Sequence, residues 1–152
     1  FLHVEASDEA GHDGDLQLAR DLFAALEGQQ ADFTQVFRAL ADTLGAGYVP
    51  LEVHLTDRGV LREWHARWLA RIAAEPRDPG ERKAAMDAVN PLYIPRNHLT
   101  DAALADAEAG DLAPFLSLLD AVTHPYEIRE EFERFARGAP QGSPVHVTYC
   151  GT

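Results

Sequence analysis

The sequence predicts an all-α fold: a single helical domain of about five to seven short helices, with a proline-rich extended connection and an irregular C-terminal tail. Three observations carry this. Apolar residues recur at i, i+3, i+4 and i+7 over most of the chain. Glycine and proline fall where those runs stop. Period-two alternation is confined to one brief stretch, Leu51, Val53 and Leu55.

Residues 5–15 are rich in Asp, Glu, Gly and His and read as a solvated loop leading to the first helix, with Asp13 or Asp15 as its N-cap. Leu16, Ala19, Leu22, Phe23 and Leu26 then keep helical spacing until Gly28, where a helix-ending glycine belongs. After Asp32, a second cap, Phe33, Val36, Phe37, Leu40 and Leu44 repeat the pattern up to Gly45 and Gly47. Residues 48–59 read as loop. A third helix follows, with Val60, Leu61, Trp64, Trp68, Leu69 and Ile72 on one face, and it stops before Pro76. Pro79 opens a short helix that contains Ala84, Ala85, Met86 and Val89.

In Asn90-Pro91-Leu92-Tyr93-Ile94-Pro95 the two prolines force an extended connection, because each fixes its own φ and turns the preceding residue away from the helix. Pro95 is placed as the first residue of a helix that runs to about Ala109. Gly110-Asp111 reads as a stop followed by a cap. Leu112, Phe115, Leu116 and Leu119 give the next helix its apolar face, His124-Pro125-Tyr126 ends it, and a last amphipathic helix is expected over about 127–137. The domain reading is a helical body over 1–138 and an extended tail over 139–152. Phe1 to Val4 begin in mid-pattern, so the chain is expected to be cut from a longer protein.

Composition narrows the function. With 25 acidic against 13 basic side chains, the net charge of −12 repels phosphate backbones and anionic headgroups, which argues against nucleic acid and membrane surfaces as partners. It also repels ATP unless arginines or lysines cluster locally, and the sequence shows no such cluster. The single cysteine, Cys150, excludes an internal disulfide and a Cys-x-x-Cys pair. No apolar run approaches the ~20 residues needed to span a bilayer, and the N-terminus lacks a basic-then-apolar signal. A soluble protein in a reducing compartment is the expectation, and the resemblance given below makes it a cytoplasmic, bacterial one.

Few residues suggest chemistry. Cys150 follows His146 by four positions, so an imidazole could lower the thiol pKa; the alternative is an ordinary tail cysteine. The acidic opening, Glu5, Asp8, Glu9, His12, Asp13 and Asp15, holds oxygen ligands, but Ala19 stands where an EF-hand loop counted from Asp8 needs glutamate, and a solvated loop is the better reading. The seven histidines show no zinc-ligand spacing. Trp64 and Trp68, one turn apart, suit a core face better than an exposed platform. Arg96, Asn97 and His98 follow Pro95 at a helix start, a place for an anion or a domain contact; the competing reading has Arg96 and Asn97 bonding the extended connection beneath them. No catalytic, cofactor-binding or metal residue is assigned within the chain.

One set of motifs is more specific. Met86-Asp87-Ala88-Val89-Asn90-Pro91-Leu92-Tyr93-Ile94-Pro95-Arg96-Asn97-His98, then Ala102 and Ala103, then Gly110-Asp111-Leu112-Ala113-Pro114-Phe115, then Pro125-Tyr126, and finally Tyr149-Cys150-Gly151-Thr152, resembles in order and spacing the C-terminal region of the selenoprotein O (SelO, YdiU or UPF0061) family of kinase-like protein adenylyltransferases. Asp32-Phe33-Thr34, Phe37-Arg38 and the stretch 64–71 with its two tryptophans extend the likeness over nearly the whole chain.

The resemblance implies a parent enzyme, a pseudokinase by fold, that transfers AMP from ATP to Ser, Thr or Tyr of protein substrates, with Mg²⁺ or Mn²⁺. It places the active site in a kinase-like domain upstream. This chain contains no Gly-rich phosphate loop, Val-Ala-Ile-Lys strand, His-Arg-Asp loop or Asp-Phe-Gly. Cys150 matches the position of a family cysteine or selenocysteine for which a redox role has been proposed, but Cys150-Gly151-Thr152 departs from the Cys-x-Ser-Ser ending, and a disulfide partner must lie upstream or in another molecule. The reading is a C-terminal helical segment that packs on or regulates the upstream kinase-like domain and is not catalytic alone. Its rival is a free-standing helical interaction module without an enzymatic role.

Overall fold

A computed structural model describes residues 12–140 and 142, with the side chains of His12 and Asp13 left aside. Every regular element among the described residues is helical: α1 (His12–Leu26), α2 (Phe33–Ala46), α3 (Val49–Glu52), α4 (Arg62–Ala73), α5 (Pro79–Asp87), α6 (Asn97–Glu108), α7 (Ala113–Thr123), a 3-10 turn (Glu130–Phe132) and α8 (Glu133–Ala136). α3 and α8 are one-turn pieces of 4 residues each, while the other six are 9 residues or longer. The helical body divides into two compact units, Phe1–Asn90 and Pro91–Thr152, at the step where the first of the paired prolines interrupts the chain.

In the first unit the apolar stripes of α1, α2 and α4 meet. Leu22, Leu26, Val36, Ala39, Leu40, Leu51, Leu55, Leu61, Trp64 and Trp68 form the buried core. Asp32 caps α2 by accepting from the Gln35 backbone N–H at 3.2 Å, and Gly47 ends it with φ +66°, a conformation that penalises any Cβ. The stretch 48–59 is more ordered than a loop. Pro50 pre-sets φ for the single turn of α3, and Leu51 within it is fully buried, so packing supplies what local propensity does not. Val60 and Leu61 precede α4, with Leu61 at its N-cap and fully buried.

α5 is held differently, because it has no buried side chain of its own. Asp78 caps it through the N–H groups of Gly80 (2.8 Å) and Glu81 (3.3 Å). The buried Arg38 of α2 reaches its far end, donating to the carbonyls of Asp87 (2.9 Å) and Asn90 (3.2 Å), which would otherwise lack helical partners. Lys83 meets Asp42 of α2 at 2.8 Å.

In the second unit α6 and α7 pack around Tyr93, Ala103, Leu118, Ala121, Phe132, Phe135 and Ala136. The extended connection is anchored where the Leu92 N–H donates to the Pro125 carbonyl at 2.6 Å. α6 starts later than expected, with Arg96 as its extended N-cap residue and Pro95 outside the helix. Gly110, φ +96°, closes it, and the Asp111 carboxylate accepts from the Ala113 N–H as α7 begins.

The helix expected over 127–137 is shorter than its periodicity suggests, and Tyr93 gives the reason. Its ring is buried, 1% exposed, and its hydroxyl donates to the Arg129 carbonyl (3.2 Å) while accepting from the Arg129 N–H (3.1 Å). The Arg129 N–H is thereby committed to a side chain while its carbonyl is shared with the Phe132 N–H (3.0 Å), Arg129 stays extended, and helical structure starts only at Glu130.

Tyr93→Phe removes this pair of bonds but keeps the ring. It should lower the unfolding free energy by about 1–3 kcal/mol, the cost of leaving the Arg129 N–H without its partner, as read from urea midpoints at unchanged m-value.

Candidate functional site

The described residues of the first unit enclose a cleft of about 130 Å³ between α1, α2, α4 and α5. Its inner wall is aromatic. Trp64 and Trp68, one turn apart on α4, stack with centroids 6.1 Å apart and planes 9° from parallel, and the Trp64 indole N–H donates to the Leu18 carbonyl at 2.7 Å. These tryptophans belong to the core, as their spacing suggests, and the cleft is the gap left beside them by Leu18, Phe37, Leu40, Ile72 and Met86.

A chain of ion pairs runs along the cleft. Asp15 is not a cap: it lies inside α1, only 7% exposed, and binds Arg71 through two bonds, Nε to Oδ1 (2.8 Å) and Nη2 to Oδ2 (3.0 Å). Arg71 also donates to Glu75 one turn on (2.8 Å), and Arg82 of α5 donates to the other Glu75 oxygen (2.8 Å) and to the Ile72 carbonyl (3.1 Å). Asp15 raises the Arg71 pKa, and Arg82, followed by Arg71, holds Glu75 below the usual carboxylate range against the opposing effect of burial. Glu75 is thus kept ionised, and both acids are engaged.

This chain of ion pairs escapes the sequence reading, although the i, i+4 spacing of Arg71 and Glu75 is a signal that could have found that one pair. That spacing does not reach Asp15, 56 residues from Arg71, or Arg82, which Pro79 and the Asp78 cap return to the same rim. Arg77 lines the cleft as well, so folding gathers arginines that the linear sequence keeps apart.

Of the residues singled out in the sequence, Asp15, Trp64 and Trp68 line the cleft. Cys150 and His146 fall outside the described residues, as do Glu5, Asp8 and Glu9. In the second unit the Arg96 guanidinium donates to the Ala136 carbonyl at the end of α8 (3.2 Å), while its own carbonyl accepts from the N–H groups of Leu99 and Thr100 (2.9 Å each). Asn97 is exposed and His98 half-buried. Among the described residues no three His, Cys, Asp or Glu side chains gather as a metal site would require, and no helix is long and apolar enough to cross a membrane.

α7 carries a second feature. Phe115, Leu118, Ala121 and Val122 face the core of their unit, yet Leu112, Leu116 and Leu119, spaced to form a second stripe, are 57%, 56% and 44% exposed. Apolar surface on both sides of one helix is unusual for an element finished with packing.

No family model matches the chain. Among curated proteins it is similar to protein nucleotidyltransferase YdiU of Sphingopyxis alaskensis, 44% identical over 146 residues, which cover 96% of this chain and 30% of that protein. The YdiU proteins of Rhodococcus jostii (45% over 144 residues) and Nitrobacter hamburgensis (39% over 142 residues) match 94% and 92% of the chain and 28% of their own length. The chain therefore spans less than a third of the curated relatives it matches.

Deeper in the first unit, burial holds His65 below the ordinary imidazole range; its Nε2 lies 2.9 Å from the Thr43 hydroxyl, which donates to the Leu40 carbonyl (2.7 Å). His54 is shifted the same way by burial, against Asp32 and Asp42. A lowered folded pKa means that the unfolded chain takes up protons first, so stability should hold above about pH 6.5 and fall as pH drops below it. Urea midpoints at pH 7.5, 6.5 and 5.5 should decline in that order, and less steeply in His65→Gln; a midpoint that rises toward pH 5.5 contradicts the assignment.

Proposed function

Because this chain belongs to the YdiU protein nucleotidyltransferase family, matching its members over nearly its own whole length and under a third of theirs, we propose that it is the C-terminal helical segment of such an enzyme. In this reading it packs on the kinase-like portion and transfers nothing alone. The parent would move AMP from ATP, with Mg²⁺ or Mn²⁺, to Ser, Thr or Tyr hydroxyls of proteins.

The second stripe of α7 carries the packing reading. Leu112, Leu116 and Leu119 expose apolar surface on a helix whose other face is already satisfied, and more than two thirds of a family-length protein lies outside this segment to cover it. The division of labour is supported by what the segment offers. The acids of its cleft are held by guanidinium groups, which supports a structural rather than a catalytic role for them.

Two measurements test this. Incubated with ATP and Mg²⁺ or Mn²⁺, a family-length protein should gain AMP by intact mass and the isolated 152-residue chain should not; AMP on the isolated chain would overturn the reading. In the second, Leu116→Glu with Leu119→Glu should change the isolated chain's stability by no more than about 0.5 kcal/mol, as exposed substitutions do, but destabilise a family-length protein by about 3 kcal/mol or more through buried unpaired charge. Equal, small effects in both proteins would favour a free-standing interaction module.

A further inference from the structure

We propose that the cleft of the first unit is a binding site for a small monoanionic carboxylic acid carrying one aromatic ring or a branched chain of similar size. This goes beyond the packing role and does not depend on it.

Size sets the first limit. At about 130 Å³ the cleft is close to apolar cavities of ~150 Å³ that take up a single benzene ring. A nucleotide or a peptide segment is too large for it. The wall chemistry sets the second, since Trp64, Trp68, Phe37 and Leu40 offer an aromatic group offset or edge-on contacts.

The rim sets the third. A guanidinium has five N–H donors. Arg71 commits three, two to Asp15 and one to Glu75, and Arg82 commits two, to Glu75 and the Ile72 carbonyl. Both residues line the cleft with donors to spare, already oriented by buried or half-buried acids, and their planar forks match a carboxylate. A cationic head would meet these guanidiniums while Asp15 and Glu75 are already engaged. The net charge of −12 disfavours polyanions, which narrows the ligand to one negative charge.

The test uses a reporter native to the site, for the chain's two tryptophans both line the cleft. Titration of the full chain with phenylacetate should give a saturable change in tryptophan emission with a Kd on the order of 1 mM or tighter, as befits so small a ligand. Acetate, which lacks the ring, and benzylamine, which reverses the head charge, should give none. Arg82→Gln should weaken phenylacetate about tenfold and leave the weaker response to benzyl alcohol within about twofold. Ala19→Phe, which adds a ring to the cleft wall, should abolish the phenylacetate response with helical circular dichroism retained. No saturable response to phenylacetate in the folded chain overturns the proposal, and so does equal binding of phenylacetate and benzylamine.

Discussion

The buried guanidinium of Arg38 fixes the frame in which the rest of the first unit is assembled. It is anchored in α2, and its bonds to the Asp87 and Asn90 carbonyls settle where α5 ends and where the chain enters Pro91. A charge so deeply placed is stable only if its donors are used, and the helix end supplies acceptors for them. Through this contact α5, which has no buried side chain, is set against α2 with Met86 and Val89 on the cleft. One wall of the cleft is thus placed by polar bonds together with the partial burial of Met86.

Much of the helical plan was legible in the sequence, since it rests on local rules. Asp32 caps its helix, Gly28, Gly47 and Gly110 take the positive φ their positions call for, and the tryptophan pair lies on a core face. The misplacements share one physical origin, a partner distant in sequence. Asp15 has the composition of a cap but is claimed by Arg71, and Arg129 lies in a stretch of helical periodicity but is claimed by the Tyr93 hydroxyl. In the stretch 48–59, burial of Leu51 overrides a turn-like composition. The cleft was illegible for the same reason, its rim being drawn from separate helices. Family membership was readable because order and spacing of motifs survive without knowledge of contacts.

The two units divide their resources unequally. The first places long-range ion pairs beside an aromatic core, which gives it a concave feature with directional donors. The second has a core centred on Tyr93, Phe132 and Phe135, with the ring of Phe132 set edge-on to Tyr93, and spends apolar side chains on its surface along α7. A helix with two apolar sides is informative about context: one side builds the unit, and the other is meaningful only as a contact with something else. The concave feature is where the proposed carboxylate would bind, and the exposed stripe is where the proposed packing against the rest of a family-length protein would occur.

The manner in which α5 is attached also bears on how the molecule breathes. Apolar packing is strengthened by many added salts, whereas the contacts of Lys83 with Asp42 and of Arg82 with Glu75 lose strength as counterions screen them. α5 is therefore expected to part from its neighbours in a sub-global opening that added salt makes more frequent. Amide hydrogens of α5 would exchange with solvent ahead of those of α2 and α4, and the cleft would open on that same clock.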